Sequence, residues 1–208
     1  MTQEKFLEKI EEPEIFFNEN KKYFDQTVKV VREAFGSLMT EEDIYNHLTE
    51  PKKVYILKDN EEVFGMYSMT PKDIAGNKIF YVDGIAINPK KQGKGIFKNV
   101  THKVREDENF VALRTQNPCM HRALEKLCGN IYPNIEGNMP EEIESLMKSL
   151  SNNLMMPVDN QMVARKFYGK SLYSSITKNK RSSYLFDKIL GIDYNAGDSV
   201  LCIARLLD

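Results

Sequence analysis

Between Ile79 and Thr115 the chain reads as an apolar strand, a glycine-bearing turn, an amphipathic helix and a second apolar strand. That succession leaves few ways to fold. Ile79–Ile87 is rich in β-branched and aromatic residues, Gly93 and Gly95 interrupt it, Ile96–Arg105 has helical spacing, and Phe110–Thr115 is apolar again. A strand, a crossover helix and a strand form a parallel pair, because a tight turn can join only antiparallel neighbours. Upstream, Val54–Leu57 and Val63–Met69 are separated by Lys58-Asp59-Asn60, and a turn over Pro71–Asn77 leads to Ile79. These short turns make an antiparallel meander. The expectation is an α/β fold with a mixed, mostly antiparallel central sheet flanked by helices.

Two helices precede the meander. Val28, Val31, Ala34 and Phe35 share one face before Gly36, and Thr40 caps a second helix with Glu41, Glu42 and Asp43 in its first turn and Ile44 and Leu48 on its apolar face. After the second strand of the crossover, Pro118–Leu127 reads as a helix. Pro140–Leu150 is a further helix with Ile143, Leu146, Met147 and Leu150 together, a helical insertion in the C-terminal part. Val200–Leu206 closes the chain as a strand, and Met162–Tyr168 is the candidate for one more.

The turn has its own chemistry. Gly93 and Gly95 let the backbone bend with little steric cost, and the N–H groups that open the next helix have no intrahelical partners, so they can meet an anion. Lys90, Lys91 and Lys94 add positive charge. A P-loop is excluded, because Gly95 is followed by Ile96 and Phe97 with no hydroxyl residue for magnesium. A dinucleotide fingerprint is excluded as well, because Lys98 stands where its third glycine belongs. An ordinary strand, turn and helix with a solvated lysine-rich turn is the plainer alternative.

The residues Gln92-Gly93-Lys94-Gly95-Ile96-Phe97 resemble the acyl-CoA signature of the Gcn5-related N-acetyltransferase (GNAT) superfamily, Gln/Arg-x-x-Gly-x-Gly/Ala directly after a strand. Gln92 and Gly95 match. Phe97 departs from it, since the family prefers a small residue there. The order of elements over residues 23–132 is also similar to that family's, with 133–208 as an elaboration of a single domain spanning 1–208. The resemblance implies the acyl-CoA N-acyltransferase fold and acetyl-CoA as acyl donor, with no metal. Gln92 to Phe97 would hold its pyrophosphate, and backbone groups of Ile85 and Ile87 its pantetheine arm. Asn117 matches the asparagine that binds that arm in the family, although an N-cap for the helix at Pro118 explains it equally well.

Transfer in this family is direct attack of an amine on the thioester. An ammonium must first lose a proton, its pKa being near ~10.4, and the leaving thiolate gains from a nearby acid. Asp83 is the candidate base, four residues before Ile87 and on the strand face of Tyr81 and Ile85; a polar residue on a partly solvated face is the alternative. No tyrosine stands at the family's usual place in the helix after Asn117. Tyr132 is the nearest candidate acid, with packing as its alternative role.

Composition sets the remaining bounds. A chain of 208 residues with 41% hydrophobic and 28% charged residues can build one substantial core. A net charge of −1 favours neither nucleic acid nor an anionic membrane. Cys119, Cys128 and Cys202 have no metal-ligand spacing and cannot all pair within one chain, which suits a reducing cytoplasm, as does the absence of a signal-peptide pattern in Met1–Glu14. The resemblance implies an amine of a small molecule or a protein as partner, with the acceptor set by Gly36–Met39 and residues 133–198. The chain could be a monomer or a homodimer, depending on what the helix at 140–150 covers. Two other functions fit the same residues: a non-catalytic acyl-CoA-sensing module, and, more remotely, a nucleotide-binding protein.

Overall fold

A computed structural model describes residues 6–37 and 39–207. Its elements in chain order are β1 (Leu7–Ile10), α1 (Pro13–Glu19), α2 (Lys21–Phe35), α3 (Glu41–Thr49), β2 (Lys53–Asp59), β3 (Glu62–Ile74), β4 (Asn77–Ile87), α4 (Ile96–Val104), β5 (Phe110–Thr115), α5 (Pro118–Cys128), β6 (Ile131–Tyr132), α6 (Glu141–Asn153), β7 (Val163–Ala164), α7 (Lys180–Tyr184) and β8 (Ser199–Arg205). The sheet has eight strands in the order β1-β2-β3-β4-β5-β8-β6, with β7 also paired to β8. The expected α/β class, mostly antiparallel, is what the chain adopts.

The chain divides into two compact units. One holds the described residues up to Thr70 together with Val82–Val104; the other holds Pro71–Tyr81 and the chain from Arg105 onward.

In the first unit β1 pairs antiparallel with β2, and β2 with β3, the latter from Lys53↔Met69 to Asp59↔Glu62. Val28, Val31, Ile44 and Leu48 from α2 and α3 pack on Val54, Ile56, Met66 and Ala86 of the strands. Phe17 of α1 joins this cluster. The apolar stripes read from the sequence are therefore the buried faces of α2 and α3, and Thr40 caps α3 by accepting a hydrogen bond from Asp43 N at 3.0 Å. Phe97 of α4 packs on Tyr67 with ring centroids 6.3 Å apart.

In the second unit β8 is the organising strand. It pairs antiparallel with β5 from Phe110↔Arg205 to Thr115↔Val200, and with β6 and β7. Ile143, Leu146, Met147 and Leu150 of α6 lie against Ile79, Tyr81, Phe110, Ala112, Leu201 and Ile203. The helix expected at 140–150 thus covers its own sheet.

Two local expectations are corrected. The turn placed over Pro71–Asn77 is only Ala75-Gly76, because β3 continues to Ile74. Pro71 is tolerated there because β2 ends its pairing at Lys53↔Met69, which leaves the strand with one neighbour fewer. The strand proposed over Met162–Tyr168 shrinks to Val163–Ala164. Ahead of the elements read from the sequence, Leu7–Ile10 adds an edge strand with Leu7 opposite Leu57 and Ile10 opposite Val54, and α1 follows. Of the Gly36–Met39 link, Leu38 lies outside the described residues.

Candidate functional site

Strand β4 ends in a loop closed by its own side chains. Asn88 N donates to Phe64 O at 2.8 Å, which extends the strand pairing to the last possible residue. The Asn88 side chain then accepts from Lys90 N at 3.0 Å and donates to Glu33 at 2.8 Å. Gln92 Nε2 reaches back to Ile87 O at 2.8 Å, so the signature glutamine fastens the turn to the strand. Gly93 and Gly95 take φ of 75° and 73°, a left-handed conformation that strains any residue with a Cβ. Gln92, Gly93, Lys94 and Gly95 are exposed, and Ile96 opens α4.

The departure at Phe97 now has a physical account. Its ring is buried against Tyr67, whose hydroxyl lies 3.0 Å from Thr101 Oγ1, and Thr101 in turn donates to Phe97 O at 2.9 Å. The large side chain points into the core, so only backbone is left for the turn. Of the three lysines, Lys91 is engaged by Asp59 at 3.1 Å and sits over the Phe64 ring, while Lys90 and Lys94 are exposed.

Asp83 is half-buried, and its Oδ2 accepts a hydrogen bond from Thr70 Oγ1 at 2.7 Å. One lone pair of that carboxylate is thereby oriented and the group is held in one place, a requirement for a base. Ile85 and Ile87 are half-buried on the same strand. Asp83, Ile85, Ile87 and the turn from Gln92 to Phe97 form one continuous stretch of the first unit.

Asn117 and Tyr132 belong to the second unit. Asn117 is the N-cap of α5, its Oδ1 accepting from Cys119 N at 2.9 Å, while its own N–H donates to Thr115 Oγ1 at 2.9 Å. Tyr132 packs against the apolar cluster under α6. A different tyrosine stands beside the cap. The phenol of Tyr173 is desolvated, which raises its pKa above the ordinary value, and hydrogen bonds with Asn117 and Thr115 offset this only in part. Nothing in the spacing around Tyr173 marks it, because it comes from an irregular segment more than fifty residues beyond Asn117.

That segment is held firmly. Gln116, buried, accepts from Leu172 N at 2.8 Å and donates to Asp198 O at 3.0 Å. Asp198, also buried, accepts from Arg165 Nη1 at 2.9 Å, Lys166 N at 2.8 Å and Asp193 N at 3.2 Å. Burial pushes its carboxyl pKa up, but these donors outweigh it and hold the value below the usual carboxylate range.

His121 is a structural residue. Its ring lies 2.8 Å from Pro133 O and 3.3 Å from Ser182 Oγ, edge-on to Phe186, and burial pushes its pKa down despite the carbonyl of Pro133. Burial likewise pushes the Cys128 thiol up to about 12, which leaves it an inert apolar group. Among the described residues no group of three or more His, Cys, Asp or Glu is arranged to hold a metal ion, and no helix is long and apolar enough to cross a membrane.

Residues 18–108 match the family model of the acetyltransferase (GNAT) domain. The ribosomal-protein-S18-alanine N-acetyltransferase from Escherichia coli superposes with a TM-score of 0.53 at 8% identity, covering 97% of this chain and 94% of that one. An IAA acetyltransferase from Bacillus cereus gives 0.47 at 15% identity over 96% and 98% of the two chains. A GNAT family acetyltransferase from Elizabethkingia anophelis, solved with acetyl-CoA bound, gives 0.40 at 19% over 86% and 89%. Comparison by sequence with curated proteins gives no match. Residues 18–108 thus carry a match to the acetyltransferase (GNAT) domain, and the chain shares the fold of the Escherichia coli enzyme.

Proposed function

We propose that the protein transfers an acetyl group from acetyl-CoA to a primary amine by direct attack, the whole chain serving as one catalytic domain. The observation that carries this reading is the turn itself. Two left-handed glycines precede the start of α4, Gln92 locks the turn to β4, and Phe97 is withdrawn into the core, so that a row of backbone N–H groups is left for a pyrophosphate. The backbone of Ile85 and Ile87 binds the pantetheine arm, and a fixed N–H near Ile87 polarises the thioester carbonyl where charge develops. The resemblance to the family assigns Asn117 to the same arm.

In the reaction the ammonium gives a proton to Asp83, directly or through water. The nitrogen then forms the C–N bond, the C–S bond breaks, the nitrogen loses a second proton and the thiolate gains one. Of the two tyrosines considered for that last proton, Tyr132 packs on apolar side chains whereas Tyr173 hydrogen-bonds Asn117 and stays protonated at neutral pH, and we assign the acid to Tyr173. A protein that only senses acyl-CoA would use the turn equally well. The oriented carboxylate of Asp83 favours the enzyme.

The test is melting temperature with acetyl-CoA, with ATP as control. Ligand at a hundred times its dissociation constant stabilises by about 2.7 kcal/mol, or roughly 5–11 °C for a chain of this size. A rise with acetyl-CoA alone, together with slower thiol release in Asp83→Asn, supports the reading. No rise with acetyl-CoA, or a rise with ATP, rejects it.

A further inference from the structure

The chain's net charge of −1 is a sum of unlike parts. Of its 29 lysines and arginines seven stand between Arg165 and Lys188, against one of its 30 acids, Asp187. A basic tract in an otherwise acidic chain is an electrostatic footprint for a polyanion. The structure separates the charges that build the fold from those left over. Arg165 is engaged by Asp159 and Asp198, and Arg181 by Glu125 and Glu136. Lys166, Lys170, Lys178, Lys180 and Lys188 are exposed and have no ion-pair partner among the described residues.

Most of these lysines sit with aromatic rings on two tethered pieces of the second unit. The first is the turn Lys166-Phe167-Tyr168-Gly169, where Lys166 N donates to Asp198 Oδ1 at 2.8 Å and Gly169 N to Lys166 O at 3.2 Å. Lys166 has a φ of 54°, so a lysine stands in a left-handed backbone that glycine would adopt at less cost. The Phe167 ring beside it carries the Arg114 guanidinium 4.1 Å from its centroid and is still 40% exposed. The second piece is the continuous helical run 180–189, made of α7 and one π-turn. Lys180, Tyr184 and Lys188 recur there every four residues and are all exposed, Tyr184 at 55%, so a phenol stands between two ammonium groups on one face. Arg165 ties the turn to the end of this run, its Nη2 donating to Leu190 O at 2.9 Å and its Nη1 to Gly191 O at 3.1 Å.

We propose that this surface binds single-stranded nucleic acid, the lysines meeting phosphates and Phe167 and Tyr184 stacking on bases. A single strand offers the base faces that a duplex hides, and rings set among cations hold it without reading base edges. An anionic bilayer fits less well. The apolar residues of the helical run, Leu185 and Phe186, are wholly buried, so no apolar face is left to insert. An acidic protein segment would satisfy the lysines but give the two rings nothing to stack on. The proposal does not depend on the acetyltransferase reading.

The test is fluorescence anisotropy of the full chain with oligouridylate of about sixteen nucleotides and with oligodeoxythymidylate of equal length, which distinguish RNA from DNA. At least one should bind at ~0.15 M salt, log affinity falling against log salt with a slope of about −2 to −3.5 for three to five phosphates met. Lys180→Gln combined with Lys188→Gln should reduce that slope by about 1.4. Tyr184→Ala should weaken binding about ten-fold and leave the slope unchanged, as the loss of one stacked base does. Lys148→Gln, whose charge Glu144 already matches, should change neither. Absence of binding by both strands, an unchanged slope in the double variant, or undiminished binding in Tyr184→Ala overturns the proposal. Tighter binding of polyglutamate or of phosphatidylserine vesicles overturns it as well. So does displacement of the strand by excess acetyl-CoA, because the lysines would then serve that nucleotide.

Discussion

Two glycine-to-alanine substitutions test the two units separately. Gly95 and Gly197 share a left-handed backbone, with φ of 73° and 86°, so alanine at either costs about 1–2 kcal/mol in conformation. Their surroundings differ. A Cβ at Gly95 meets nothing within 4 Å, whereas at Gly197 it would lie 2.3 Å from Gly169 N, 2.6 Å from Lys170 N and 2.8 Å from the Tyr168 carbonyl carbon. These are backbone atoms and cannot rotate away, so the segment 168–170 must move, adding roughly 1–3 kcal/mol of overpacking. The Tyr168 N to Gly197 O hydrogen bond goes with it, about another 1 kcal/mol. Gly197→Ala should therefore lose about 3–6 kcal/mol and Gly95→Ala about 1–2. At roughly 2–4 °C per kcal/mol, melting falls by about 6–24 °C in the first and 2–8 °C in the second. Calorimetry of both variants with and without acetyl-CoA reads the stability and the donor site together. Gly95→Ala should lose most of the acetyl-CoA shift, and Gly197→Ala should keep it. Equal losses of stability would refute the close approach of 168–170 to Gly197, and an intact acetyl-CoA shift in Gly95→Ala would refute the turn.

Other substitutions test single parts of the argument. Phe97→Ala should cost about 3–5 kcal/mol by chemical denaturation, because a buried ring is removed, yet leave acetyl-CoA affinity within about three-fold, because only the backbone of that residue faces the ligand. Asp198→Asn should cost about 3 kcal/mol, since Arg165 and two backbone N–H groups lose their charged acceptor, again read by denaturation. Because the Asp198 pKa is depressed in the folded state, its contribution is complete above the unfolded value near ~3.9 and is lost as pH falls through the folded one. The His121 pKa is depressed too, but for a base this favours the neutral form. Stability should then decline as pH falls below the unfolded value near ~6.5, and melting curves of His121→Gln should be flatter than those of the wild type between pH about 6.5 and 5.

What the sequence disclosed and what it hid follow the range of the interactions involved. Thr40 capping α3, the stripe Val28-Val31 on α2 and the apolar run of β8 are local patterns, and the structure keeps them. Edge strand β1 could not be read, because Leu7 and Ile10 are isolated apolar residues in a charged stretch and become a strand only through pairing with β2. The turn from Gln92 to Gly95 was legible for its glycines. That Phe97 leaves it intact was not, since this depends on Tyr67 and Thr101 receiving the ring.

Tyr173 shows the same limit in the second unit. A helix places a side chain by its period, so a phenol on α5 would have been visible at a fixed offset from Asn117. Tyr173 instead reaches Asn117 through Gln116, whose amide holds Leu172, and through the knot of Asp198, Arg165 and Gly197 that sets the course of the segment 165–172. The contacts of Arg165 with Asp198 and of Gln116 with Leu172 join residues 33 and 56 positions apart along the chain, so no short window of sequence contains them. The same residues that leave α5 without a tyrosine also leave it room: Asn117 caps the helix with Oδ1, and its amide group is free to meet a phenol arriving from outside the helix. If Tyr173 is the acid, Tyr173→Phe should lower kcat about 10²-fold while acetyl-CoA affinity holds, and Tyr132→Phe should leave kcat unchanged. The reverse pattern would return the role to Tyr132 and leave Tyr173 as a packing residue beside Asn117.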